Sequence, residues 1–158
     1  MARTIFMLIF LGLLSLCWAA DKPDFSGSYT LDETKSKLSE TRRRVSKHLE
    51  VKQTAEKITI TREYINRSGE SVSHTEELTL DGKANKVTVR NRSREVQASW
   101  SDDGAQLIFT SETEFERQGR SIKIQTKEKW ALDGNKLTIV STNSSPRGER
   151  SATLLYTK

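Results

Sequence analysis

From Trp100 to Ile139 the chain reads WSDDGAQLIFTSETEFERQGRSIKIQTKEKWALDGNKLTI. Its side chains alternate with period two. Leu107, Phe109, Ser111, Thr113 and Phe115 fall on one side of the first run, and Ile122, Ile124, Thr126, Glu128 and Trp130 on one side of the next, with Lys123, Gln125, Lys127 and Lys129 opposite. That period belongs to a half-buried β-strand; a helix would place its apolar residues three and four apart. Three turn clusters cut the stretch: Asp102-Asp103-Gly104, Arg117-Gln118-Gly119 and Asp133-Gly134-Asn135. Glycine supplies the positive φ of a tight hairpin, and Asp or Asn beside it tolerates the same geometry. The stretch therefore predicts antiparallel strands joined by short hairpins.

The same alternation runs outward in both directions. It predicts strands near 25–31, 47–53, 57–65, 71–80, 86–90, 94–100, 106–115, 120–132, 136–142 and 150–157. Pro23 and Pro146 both stand outside these runs, as they must, since proline removes a ladder donor. The motif W-x-x-D-G-x-x-L occurs at Trp100–Leu107 and again at Trp130–Leu137, and a partial copy surrounds Asp81-Gly82. Read as a hairpin, it pairs Trp100 with Leu107 and Trp130 with Leu137 as cross-strand neighbours; the turn at 117–119 pairs Phe115 with Ile122. Residues 32–45 are the one sizeable irregular stretch, where we expect one short helix and a lid.

Extending the register sorts the side chains by face. Ile58, Ile60, Arg62, Tyr64, Val72, His74, Glu76, Leu78, Val96, Ala98 and Trp100 join the inward set. So long an apolar face is buried only if the sheet closes on itself, which also removes its edges. The fold class is thus all-β: an antiparallel up-and-down meander of 8 to 10 strands closed into a barrel. The inward face also carries Arg62, His74, Glu76 and Glu128 in mid-strand, and an unpaired buried charge costs several kcal/mol. Two readings are open: a water-containing cavity, or a bulge that turns these groups outward.

At the N-terminus, Arg3 precedes an apolar run from Ile5 to Leu16, followed by Cys17-Trp18-Ala19-Ala20 and the charged Asp21-Lys22. Basic start, apolar centre and small residues at the cut are the layout of a secretory signal peptide; the run is shorter than the roughly 20 residues that span a bilayer. We expect residues 1–20 to be removed and 21–158 to form one domain, secreted or periplasmic. Leu14-Ser15-Leu16-Cys17 also resembles a lipobox, which would instead anchor the protein through Cys17. Removing 1–20 takes Arg3 and no acid from a chain with 26 Lys+Arg and 21 Asp+Glu, so the net charge falls from +5 to +4. A mild excess, with no exposed aromatic ladder for stacking bases, argues against a nucleic-acid partner. With one Cys and two His in the chain, a disulfide framework and a Cys/His zinc site are excluded.

Gly27-Ser28-Tyr29 on the first strand resembles the G-x-W opening of the calycin group, the lipocalins and fatty-acid-binding-protein-like barrels, with Tyr in place of Trp. More closely, Phe25-Ser26-Gly27-Ser28-Tyr29-Thr30-Leu31-Asp32 followed by Lys35-Ser36 resembles small secreted bacterial lipocalin-like domains, which open on F-S-G-x-W-x-L and end on W-x-L-D-G-x-x-L hairpins. These motifs are structural. The resemblance implies a lipocalin-like barrel and names no ligand.

Three function classes follow. The first is a monomeric module that binds a small apolar or amphipathic molecule inside the barrel. Trp100, Trp130, Phe109, Phe115 and Tyr64 would form its walls, Arg62 and His74 would meet an anionic head group, and Glu76 and Glu128 would balance charge. Aromatics at these positions are more often plain core than ligand contacts. The second class is an envelope interaction protein, in which Arg42, Arg43 and Arg44, with Lys47 nearby, contact an anionic membrane surface. An enzyme comes third: the sequence shows no nucleophile motif, metal-ligand spacing or phosphate loop, so no catalytic residue, metal or cofactor is assigned.

Overall fold

The computed structural model describes residues 22–38, 45–89, 92–117 and 119–158. The ten expected strands form: β1 (Gly27–Leu31), β2 (His48–Gln53), β3 (Lys57–Ile65), β4 (Ser71–Thr79) and β5 (Ala84–Val89), then β6 (Arg92–Trp100), β7 (Gln106–Arg117), β8 (Arg120–Asp133), β9 (Lys136–Ser145) and β10 (Gly148–Thr157). Their hydrogen-bonded order is β4-β3-β2-β1-β10-β9-β8-β7-β6-β5. Every neighbour is antiparallel, and β1 meets β10 with Leu31 opposite Tyr156. This is an all-β, antiparallel, nearly closed up-and-down barrel.

Closure is incomplete at one seam. β4 and β5 follow each other in the chain yet stand at the two ends of the order, and no ladder joins them among the described residues. Near their turn, side chain and loop groups take the ladder's place. The Thr79 N–H donates to Asn85 Oδ1 at 3.2 Å, and the Gly82 N–H donates to the Ala98 carbonyl of β6 at 3.0 Å.

The expected inward parity holds throughout, but one register differs. Trp100 lies opposite Leu107 and Phe115 opposite Ile122, as the turns indicate. Trp130, however, lies opposite Ile139, and Leu132 takes the place opposite Leu137. The two W-x-x-D-G motifs thus fold into different turns. At the first, Ser101 Oγ donates to Asp103 Oδ1 at 2.5 Å, and Asp103 Oδ1 also accepts from the Ala105 N–H, which holds a four-residue loop. At the second, Ala131 has no hydroxyl to make that clip and Leu132 packs on the core instead. The strands then run on to a two-residue Gly134-Asn135 turn, with Gly134 at φ 58°. A slip of two residues leaves every side chain on its own face.

The barrel's core gathers at one end, the end where β6 meets β7. Phe25, Tyr29, Leu49, Ile58, Ile60, Leu107, Trp130, Leu137, Ile139 and Tyr156 are all buried there. Phe25 precedes β1 and serves as the plug, its ring 6.1 Å from both Trp100 and Trp130. Hydrogen bonds fix it: its N–H donates to Gln53 Oε1 at 3.1 Å, and its carbonyl accepts from the Tyr29 hydroxyl at 2.9 Å. Gly27, at φ 146°, lets the chain turn from plug to strand in a conformation that other residues avoid.

Residues 32–38 do not hold the expected helix. Asp32 Oδ1 accepts from the Thr34 and Lys35 N–H groups in a turn, after which Lys37 bridges Thr153 of β10 and Ser36 Oγ accepts from the Leu155 N–H at 2.9 Å. This segment is tied to the barrel wall, so its described part is no lid. The rest of the expected lid, residues 39–44, lies outside the described residues.

Truncating the plug tests this packing. Phe25→Ala is expected to cost about 3–5 kcal/mol, read as a fall of roughly 10 °C in Tm by circular dichroism. A truncation at the exposed Ile65 is expected to leave Tm unchanged.

Candidate functional site

Above the apolar core, the barrel interior is crossed by a chain of ion pairs. Glu76 on β4 is its centre, with a side chain only 2% exposed. Its Oε1 accepts from Arg62 Nε of β3 at 3.3 Å, and its Oε2 from an Arg94 terminal nitrogen of β6 at 2.7 Å. Arg62 then reaches across the barrel and donates to Glu128 Oε2 of β8 at 2.8 Å. The same oxygen accepts the Trp130 indole N–H at 3.1 Å. Arg62 also lies over the Trp130 ring, 5.5 Å from its centroid, where the π-face favours a cation. Two guanidinium groups and two carboxylates thus form one neutral cluster that braces four strands.

The electrostatics follow from this geometry. Burial alone would push the Glu128 carboxyl up, but the Arg62 guanidinium, the two hydrogen bonds and the more distant Arg94 together hold it below its ordinary value of 4.5. Burial likewise works against the charge on Arg62, while Glu128 and Glu76 more than offset it and hold its proton more firmly than usual. Tyr156, whose hydroxyl donates to the Ser46 carbonyl at 2.9 Å, is pushed up by burial.

These pairs account for the mid-strand charges. Neither a large water pool nor a bulge is involved: the cavity beside the cluster, lined by Arg62, Glu76, Arg94, Ser111, Thr126 and Glu128 among others, is about 20 Å³. That is room for about one water. Among the described residues, two buried side-chain nitrogens have no hydrogen-bond partner, His74 Nε2 and Arg94 Nε. His74 sits directly opposite Arg62 on the neighbouring strand.

Of the residues singled out from sequence, Arg62, Glu76, Glu128 and Trp130 come together here, with the Phe109 ring tilted against Trp130 at 4.9 Å between centroids. Trp100 does not join them; it packs on Phe25 at the closed end. Tyr64, opposite Val72, and Phe115, opposite Ile122, stand beyond the cluster toward the other end. Sequence reasoning missed Arg94. Its signal was present, since Arg94 shares the parity of Val96, Ala98 and Trp100. Arg42, Arg43 and Arg44 lie outside the described residues, as do residues 1–20 with Cys17. Of the nearby cations, Lys35 pairs with Asp32 at 2.9 Å and Lys47 with Glu33.

Two measurements test the cluster. Glu76→Ala takes the carboxylate from Arg94 and leaves Arg62 with Glu128 alone, and is expected to cost about 3–5 kcal/mol by urea unfolding, whereas replacing all four charges with apolar residues of similar volume is expected to be neutral or stabilising by about 1–4 kcal/mol. Because the folded Glu128 carboxyl is depressed, its contribution is complete above the unfolded value near 4.5 and is lost as pH falls through the lower folded value. Glu128→Gln should therefore lower Tm at pH 7, with the gap to wild type closing as the pH drops below that value.

No family model matches the sequence, and no curated protein matches it. Among solved structures, the chain is similar to zebrafish ileal bile acid-binding protein complexed with cholic acid, at 17% identity and a TM-score of 0.45 over 70% of this chain and 71% of that one. It is also similar to secretory abundant heat soluble protein 4 from Ramazzottius varieornatus, at 12% identity and a TM-score of 0.45 over 70% of this chain and 67% of that one.

Proposed function

We propose that the protein is an exported binding module that takes a small amphipathic molecule into the half of the barrel beyond the charge cluster. The observation that carries this reading is the pair of buried, unpartnered nitrogens, His74 Nε2 and Arg94 Nε, beside a cluster of paired charges. A barrel selected for stability alone would fill this level with apolar side chains, which serve as well or better. Buried polar groups without partners are rare and call for a reason.

The walls beyond the cluster fit an amphipathic guest. Val72, Phe115, Ile122 and Ile124 are inward and only half-buried, whereas their counterparts at the plugged end are fully covered. A guest would rest its apolar body on these residues and direct an acceptor toward Arg94 and His74. The 20 Å³ cavity is far below the roughly 300–1,000 Å³ of ligand pockets, so the guest sits above the cluster and does not replace it. The export half of the proposal rests on Arg3, the apolar run and the small residues before Asp21.

The fluorescent amphiphile 1-anilinonaphthalene-8-sulfonate provides a direct test. We expect saturable binding with quenching of tryptophan emission, weakened in Arg94→Gln, and a retained amphiphile in mass spectra of protein purified under native conditions. Absence of both saturable binding and a retained molecule would overturn the reading. For export, the mass of the protein recovered outside the cytoplasm should lack residues 1–19 or 1–20.

A further inference from the structure

The described residues also form a hollow on the outside of the barrel. A groove of about 540 Å³ crosses the outer face of β6 to β10, within the size range of ligand pockets. It is built from two adjacent rows of outward side chains in continuous cross-strand register. The first is Glu95, Glu112, Gln125, Ser144 and Glu149; the second is Gln97, Thr110, Lys127 and Thr142. At about 4.8 Å per strand, the first row extends roughly 19 Å across the sheet.

The lining decides the chemistry. No aliphatic or aromatic side chain contributes, which removes any gain for an apolar guest. Glu95, Glu112 and Glu149 outnumber Lys127, and the neighbouring Lys123 is already paired with Glu112 at 2.6 Å, so an anion is disfavoured. Of the nine lining residues whose side chains point outward, five, Gln97, Thr110, Gln125, Thr142 and Ser144, are uncharged amides or hydroxyls. Such groups both donate and accept, as sugar hydroxyls do. Glu95 also stands directly opposite Glu112, a like-charge pair that weakens a sheet. Lys123 and Gln125 engage Glu112, and the Glu95 carboxylate beside it can accept from hydroxyls of one guest.

We propose that this outer groove binds a neutral, polyhydroxylated chain, an oligosaccharide lying across the strands. The site is separate from the interior one, and neither depends on the other. Titrating the purified protein with maltohexaose, cellohexaose and chitohexaose at millimolar concentration, followed by amide NMR shifts, tests it. At least one hexasaccharide is expected to give saturable shifts centred on Gln97 and Gln125. The same chain should bind about tenfold or more weakly to the Gln97→Ala/Gln125→Ala double variant, at unchanged Tm, because both side chains point outward; glucose, too small to span the row, should bind more weakly than the chain. Three results would each overturn the proposal: no saturable shift with any hexasaccharide, shifts that survive the double variant, or shifts with spermine alone, which would make the groove a polycation site.

Discussion

One buried carboxylate held between two arginines organises the polar level of the barrel. The β-ladder runs unbroken from β4 round to β5 but does not join those two ends, so backbone hydrogen bonds alone leave the wall open on one side. Glu76 supplies the missing connection. It ties β4 to β6 through Arg94 and, through Arg62, to Glu128 on β8. A charge so deeply buried is tolerable only when paired, and each partner in turn needs its own. The requirement propagates across the interior until it ends at the Trp130 indole, which belongs to the apolar core. The plugged end and the seam are thereby linked through a single run of contacts.

Much of this was legible in the sequence because a strand's side-chain period is two. Parity alone sorted Ile60, Arg62 and Glu76 inward and Lys123, Gln125 and Lys127 outward, and a two-residue slip cannot disturb it. Register was harder. The W-x-x-D-G-x-x-L copies look alike, yet Ser101 against Ala131 decides between a four-residue loop and a two-residue turn, through a hydroxyl whose effect shows only once its carboxylate partner is in place. Arg94 was passed over for a related reason. Its parity was readable, but its importance comes from Glu76, 18 residues away across a seam that no local pattern announces. The size of the cavity was out of reach altogether, since it depends on how side chains from five strands fill one space.

The cluster also divides the interior by chemistry. On one side Phe25, Trp130 and Tyr29 form a dry floor with their polar atoms satisfied locally. On the other, half-buried apolar side chains follow one another toward the open ends of β7 and β8. A neutral set of paired charges suits such a boundary. It leaves no net charge in the interior, and its guanidinium groups stay in place because the carboxylates hold them.

The same strands carry both candidate sites, one on each face. Arg94 and Glu95, Phe109 and Thr110, and Glu128 and Lys127 are neighbours in sequence, yet the pleat assigns the first of each pair to the interior and the second to the outer groove. This makes the wall economical but constrained. An inserted residue in β6, β7 or β8 would exchange the two faces beyond it, moving a glutamate from the groove into the core and a core charge into water. A point substitution, by contrast, touches one face alone, because neighbouring side chains leave the backbone in opposite directions. Loss of stability without loss of groove binding, or the reverse, is therefore the behaviour that the sheet's own geometry imposes on these strands.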